Sequence, residues 1–379
     1  PLLLDKIKTL FKGDHPINVV ALVGMSGMGK TTLAQQYAVS QKMPIIWSVH
    51  AETQTSLVQS FSQLAYALSK TQEEKVELDG IKQIENQAEY TTKLLFFVKQ
   101  RLQQSKQGWL LLFDNVEALK DIEPFLPTDQ NIWGSGQVLI TTKNNRIASH
   151  NFVQNSHVIE IPELTDAEKL ALFLKIQEKQ ISDQKSLTLF LRKIPPFPLD
   201  VFMAAYYIKN TNNSYDEYLD LLTAQQKNAS YLQEIGYYGK TRHQIITGSI
   251  DHILHKDKGF QKLLLVVSLL NNYDIRVDFL KKIADPQHVD VFIQQMSQFS
   301  LVSSQSNKPS SGATISIHQS IQQLMLSYLL SHLSAKEQEQ EVNAVVDILY
   351  DSTNEIIASN DLSRMHTSLI HLSKVLERS

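Results

Sequence analysis

One junction narrows the folds open to this chain more than any other feature. An apolar run, Ile17–Val23, breaks at Gly24 into Gly-Met-Ser-Gly-Met-Gly-Lys-Thr (Gly24–Thr31), and a helix-forming stretch, TTLAQQYAVS, starts at Thr31. Strand, glycine turn and helix in that order satisfy the pattern G-x-x-x-x-G-K-[ST] in the context its chemistry needs. Gly24, Gly27 and Gly29 let the backbone N–H groups around Ser26 and Met28 turn inward about phosphate oxygens. The following helix, with Thr32 in its first turn, offers those phosphates its positive end. Lys30 is placed to reach the outer phosphates of ATP or ADP, and the Thr31 hydroxyl to hold Mg²⁺.

A loop of this kind sits at the carboxyl edge of a parallel sheet, and the chain supplies the strands. Strand-like runs recur at 44–49 (PIIWSV), 109–113 (WLLLF), 137–142 (QVLITT) and 157–161 (HVIEI), separated by helical stretches such as SLVQSFSQLAYALS and EYTTKLLFFVKQRLQQ. This alternation predicts an α/β fold with the sheet covered on both faces. After Ile161 the pattern becomes helical. ELTDAEKLALFLKIQ opens on a capping box, Thr165 with Glu168, and SAKEQEQEVNAVVDILY on another, Ser334 with Glu337. Between them, SLVSSQ and TISIH flank the turn-rich NKPSSGA, and helices followed by such a hairpin suggest a winged-helix module. The resulting division is 1–16, a linker or helix; 17–162, a phosphate-binding α/β domain; 163–228, a helical subdomain; 229–333, the winged helix; and 334–379, the start of a helical arm.

A metal-assisted phosphate site needs a carboxylate, and Asp114 ends the third strand-like run, where ligands bind in open α/β sheets. The next residue is Asn115, which can orient a water but cannot take its proton, and Glu117 stands two residues further on. Slow turnover, or none, is the expectation. The chain has no cysteine among its 379 residues, which excludes disulfides, thiolate zinc sites and cysteine nucleophiles. His252 and His255 have i,i+3 spacing but no companion cluster. A net charge of −3 argues against a surface built for nucleic acid or anionic membrane, and charges through 231–330 nearly cancel. The longest apolar run, Leu263–Leu270, is far short of a membrane span. With no visible signal peptide, these features predict a cytoplasmic protein. The first residue is Pro1 rather than Met, so we expect a piece of a longer chain.

These segments, in this order, resemble the NB-ARC group of STAND nucleotide-binding switches, a likeness that covers nearly the whole chain. VVALVGMSGMGKTTLA resembles the group's Walker A segment and WLLLFDNVE its Walker B. GSGQVLITTKNNR, ELTDAEKLALF, PPFPLDV, LLNNYDIRVDFL and ISIHQSIQQLM stand where the group has its later signatures. The resemblance implies that Thr142 and Lys143 sense the γ-phosphate, with Arg146 as a further cation, since the group more often has Arg where Lys143 stands. It implies that Pro198 packs on the base and ribose, and that His318 reaches the β-phosphate of ADP. Gln319 replaces the Asp that usually follows that histidine, and Pro196-Phe197 replace a glycine-containing turn. The implied function is a switch: ADP holds a closed monomer, and ATP exchange, prompted by an unknown trigger ligand or protein, permits opening and self-oligomerisation. Two alternatives stay open, an AAA+-like ATPase that uses turnover for remodelling and a nucleotide-regulated DNA-binding transcription factor.

Overall fold

The computed structural model describes every residue except 1, 14, 146, 148–152, 154–156, 179–182, 212, 225–236, 306–312, 359–361 and 377–379. The chain forms two compact units, Pro1–Pro162 and Glu163–Ser379.

The first unit begins with α1 (Leu2–Leu10), β1 (Ile17–Val23), α2 (Lys30–Val39), β2 (Ile45–His50), α3 (Gln54–Leu68), α4 (Gln72–Lys82) and α5 (Gln87–Gln103). It continues through β3 (Trp109–Val116), α6 (Leu119–Ile122), α7 (Gln130–Trp133), β4 (Gly136–Thr142) and β5 (Val158–Glu160). The five strands lie in the order β2-β3-β4-β1-β5, and every pairing is parallel. β3 reads WLLLFDNV and is buried at nearly every position, as a strand covered on both faces must be. The helices close over it with Phe61, Leu64, Leu94 and Val98, all of them buried. α2 is tied down by Tyr37, whose ring stacks on Phe11 at 5.2 Å and whose hydroxyl donates to Gln137 Oε1 at 2.7 Å. β4 therefore lies between the strand that feeds the glycine loop and the strand that carries Asp114. That placement builds the site.

The second unit opens with α8 (Asp166–Gln177), α9 (Gln184–Lys193), α10 (Pro198–Thr211), α11 (Tyr215–Ala224), α12 (Tyr237–Lys256) and α13 (Phe260–Leu269). Then come β6 (Ile275–Arg276), α14 (Val277–Ile283), α15 (Pro286–Gln298), β7 (Ser303–Gln305), β8 (Thr314–Ser316), α16 (Gln319–Ser331), α17 (Ala335–Ala358) and α18 (Leu362–Leu376). The short strands form an antiparallel sheet, β6-β8-β7. The apolar run LLLVVSLL lies in α13 and at its end, buried all round, which is why it needs no polar face. No helix among the described residues is long and apolar enough to cross a membrane. The Thr165–Glu168 and Ser334–Glu337 capping boxes both form.

Two buried polar contacts pin this unit internally. Asp200, in the first turn of α10, is fully buried and accepts two hydrogen bonds from Arg242 of α12, at 3.0 Å from Nε and 2.6 Å from a terminal nitrogen. Burial pushes the Asp200 carboxyl up, and the facing guanidinium pulls it back toward ionisation. His371 of α18 accepts the Asn271 N–H on Nδ1 at 3.1 Å, and its other ring nitrogen lies 3.4 Å from the Asp274 carbonyl. Accepting on Nδ1 requires the neutral ring, and burial lowers its pKa to about 4.

Candidate nucleotide site

β1 pairs with β4 up to Val23 opposite Thr142, and the Gly24 N–H extends the ladder by donating to the Thr142 carbonyl at 3.3 Å. Beyond it the chain curls. Gly27 and Gly29 both have φ of 85°, a left-handed conformation that costs glycine nothing and other residues about 1–2 kcal/mol each. Gly29 is the residue before α2 and offers no side-chain cap, so the first-turn N–H groups of α2 are the donors the loop presents. Met28 folds beneath the loop, where its Sδ accepts the Met25 N–H at 3.0 Å. The Met25 side chain is exposed, Ser26 is half-buried and Thr32 is exposed.

Lys30 is buried. Its ammonium donates to the carbonyls of Gly24 and Met25, both at 2.8 Å, so a full positive charge sits inside the curl. Across from it, the Thr31 hydroxyl donates to Asp114 Oδ1 at 2.7 Å. A hydroxyl and a carboxylate from separate elements meeting in this way form a hard-oxygen pair, the donor set that suits Mg²⁺. Thr31 and Asp114, proposed from sequence as metal-holding residues, are thus brought together.

Sequence reasoning missed a third member, Thr141. Its hydroxyl donates to the same Asp114 oxygen at 2.5 Å and accepts the Asn115 N–H at 3.0 Å. The available signal was the Thr-Thr pair ending β4: alternation sends one hydroxyl to each face of the sheet. Thr142, read as a γ-phosphate sensor, is buried and turned inward. It donates to the Val116 carbonyl at 2.6 Å and accepts the Asn144 N–H at 2.9 Å. It therefore shapes the turn that leads to Lys143, whose side chain is exposed. Arg146 lies outside the described residues.

Asn115 has φ of 59°, and the β3–β4 register slips between Phe113 and Val116, so a bulge follows Asp114 directly. Asparagine is among the few residues other than glycine that visit this region readily. The kink directs the Asn115 N–H onto Thr141 and the Val116 carbonyl onto Thr142.

The other two candidates belong to the second unit. Pro198 is the first residue of α10 and is half-buried. His318 is exposed and caps α16, its Nδ1 accepting the Ser320 N–H at 3.2 Å. With Nδ1 accepting, the proton of the neutral ring is on Nε2.

Known proteins resemble this chain in sequence and in fold. The sequence profile of the NB-ARC domain matches residues 3–182. Over 170 residues, 44% of this chain, the sequence is 25% identical to the disease resistance protein RML1B of Arabidopsis thaliana, and the match spans 16% of that protein. The fold is similar to that of a signal transduction ATPase with numerous domains (STAND) from Pyrococcus horikoshii, a protein with a tetratricopeptide repeat sensor. That likeness has a TM-score of 0.51 at 14% identity and covers 88% of this chain and 43% of the other. CDC6P from Pyrobaculum aerophilum gives a TM-score of 0.42 at 12% identity, over 88% of this chain and 94% of the other. The chain thus spans less than half the length of either the resistance protein or the STAND protein.

Proposed function

From the premise that residues 3–182 are an NB-ARC domain of the STAND class of P-loop NTPases, we propose that the chain is a nucleotide-operated switch. The observation that carries the reading is the pairing of a complete phosphate loop with a carboxylate followed by asparagine. The Lys30 charge, the glycine curl and the Thr31–Asp114 pair provide for holding a magnesium–nucleotide complex. Bound Mg²⁺ would supply charge neutralisation between the outer phosphates. At the next position Asn115 can orient water but cannot accept its proton, so the site retains nucleotide better than it consumes it.

In this proposal ADP engages the loop together with Pro198, against base and ribose, and His318, whose Nε2–H donates to the β-phosphate. The segments 163–228, 229–333 and 334–379 serve as a helical subdomain, a winged helix and the beginning of a sensor arm. Lys143 reads the γ-phosphate. ATP opens the assembly and permits self-oligomerisation in the cytoplasm, prompted by a trigger ligand or protein. For γ-phosphate to act this way it must bind the two forms unequally. Moving a 1:99 population to 99:1 takes an affinity ratio of about 10⁴.

The test is to denature the freshly purified protein and identify the released nucleotide by chromatography. One equivalent of ADP that survives gel filtration supports the switch. An empty protein that hydrolyses added ATP rapidly refutes it in favour of a working ATPase.

A further inference from the structure

A cleft of about 410 Å³ opens at the edge of the parallel sheet, at the end opposite the phosphate loop. The register places it there. Ile45 pairs with Trp109 where β2 and β3 begin, and His50 pairs with Asp114 where they end. The strand between those levels is about 15 Å long. β2 is an outer strand of the sheet, so Ile45 and Trp47 are only half-buried, and with Leu64 and Leu68 of α3 they make an apolar wall.

The opposite wall is charged. Glu74 is fully engaged by its surroundings: one oxygen accepts the N–H groups of Lys70 and, at 3.1 Å, Thr71, and the other faces an Arg101 nitrogen at 3.1 Å. Arg101 lies over the Phe97 ring at 4.8 Å, which holds the guanidinium flat. Its Nε–H is buried and has no acceptor among the described residues. A buried donor left unmet is costly. Lys70 stands exposed at the rim. With Glu74 offset by Arg101, the cleft carries one surplus positive charge beside an unmet N–H donor. Its size falls within the range of small-molecule sites, about 300–1,000 Å³.

We propose that this cleft binds a small organic anion, a carboxylate or sulfonate on an apolar body. The head group meets Lys70 and the part of the Arg101 guanidinium that lines the cleft, which keeps its seat on Phe97 and Glu74. The aliphatic or aromatic body lies along Ile45, Trp47 and Leu64. Nothing in this site depends on the nucleotide reading.

The experiment is a fluorescence titration of the full chain with anilinonaphthalene sulfonate, followed by competition with octanoate and with octanol. The expected result is saturable one-site binding, reversed by octanoate at concentrations where octanol has no effect. Arg101→Met should weaken octanoate by about tenfold or more, the loss of a charge-assisted contact. Because that change also leaves Glu74 without its cation, Ala67→Trp provides the second variant. Ala67 lines the cleft and is exposed, so the indole fills the space without touching an ion pair. Ala67→Trp should abolish dye binding while the melting temperature and released-nucleotide content stay unchanged. Absence of saturable binding, equal displacement by octanol, or dye affinity unchanged in Ala67→Trp would each overturn the proposal, whatever the phosphate loop contains.

Discussion

Acidification should loosen the second unit through one histidine. In the folded chain burial holds the His371 ring neutral down to about pH 4, against an ordinary value of 6.5. Once unfolded, the same ring takes a proton near pH 6.5. Between those values the unfolded state binds more protons than the folded state, so stability falls as pH falls through the window from 6.5 to about 4. Above pH 6.5 the group is silent. The interval of 2.5 pH units corresponds to roughly 3 kcal/mol at the acid end, since each unit is about 1.4 kcal/mol. The structural cause is local: Nδ1 accepts the Asn271 N–H, and a protonated ring turns a donor toward a donor. The assay is urea denaturation of wild type and His371→Gln at matched pH values from 7.5 to 4. Glutamine retains one acceptor and one donor but no titration, and carboxylates common to both proteins cancel in the difference. Wild type should lose about 3 kcal/mol more than His371→Gln across the window. Parallel pH profiles for the two proteins would refute the reasoning, because the ring would then not be buried neutral between α18 and the 271–274 loop.

Other substitutions probe the remaining contacts. Lys30→Ala removes the only charge within the described phosphate loop and should reduce nucleotide affinity by at least about a hundredfold in equilibrium dialysis, with little change in melting temperature. Asn115→Asp introduces a proton acceptor at a position whose positive φ tolerates aspartate, and should raise steady-state phosphate release by about tenfold or more. Thr141→Val deletes a hydroxyl that donates to Asp114 Oδ1 and should weaken the Mg²⁺ dependence of nucleotide binding more than binding without metal. Asp200→Ala leaves the Arg242 guanidinium buried without its carboxylate and should cost about 3–5 kcal/mol in denaturant unfolding. Replacing both residues with apolar ones of similar volume should recover much of that loss.

The frame of the first unit could be read directly because its strands are buried on both faces and so spell continuous apolar runs. β1, β3 and β4 were visible for that reason, and the parallel sheet followed from the helices between them. α4 escaped notice: QEEKVELDGIK buries only Leu78 and Ile81, too thin a stripe for periodicity to reveal, although its Thr71–Glu74 capping box was there to be read. β6 is a two-residue pairing fixed by its β8 partner, which no local pattern announces. That Thr31 and Asp114 meet beside Lys30 was legible because phosphate and metal chemistry restrict residue type. Thr141 and the inward turn of Thr142 were not, since which hydroxyl faces Asp114 depends on β4 lying beside β3 and on its register there. The Asp200–Arg242 pair spans two helices far apart in sequence, and composition hides such pairs altogether.

Asn115 joins the fold to the chemistry. The bulge after Asp114 is what carries the Asn115 N–H to Thr141 and the Val116 carbonyl to Thr142, and so holds both hydroxyls in place. Its cost is a left-handed residue at 115, where asparagine, aspartate and glycine fit and a longer side chain such as glutamate would add about 1 kcal/mol of strain. A long carboxylate at this position is therefore disfavoured by the backbone that organises the Thr31–Asp114 pair. Aspartate fits the backbone and can take a proton; asparagine fits it equally and cannot. The slow turnover expected of this site thus has a conformational root as well as a chemical one. The same residue that completes the hydroxyl network around Asp114 withholds the base, which is the combination the proposed switch requires.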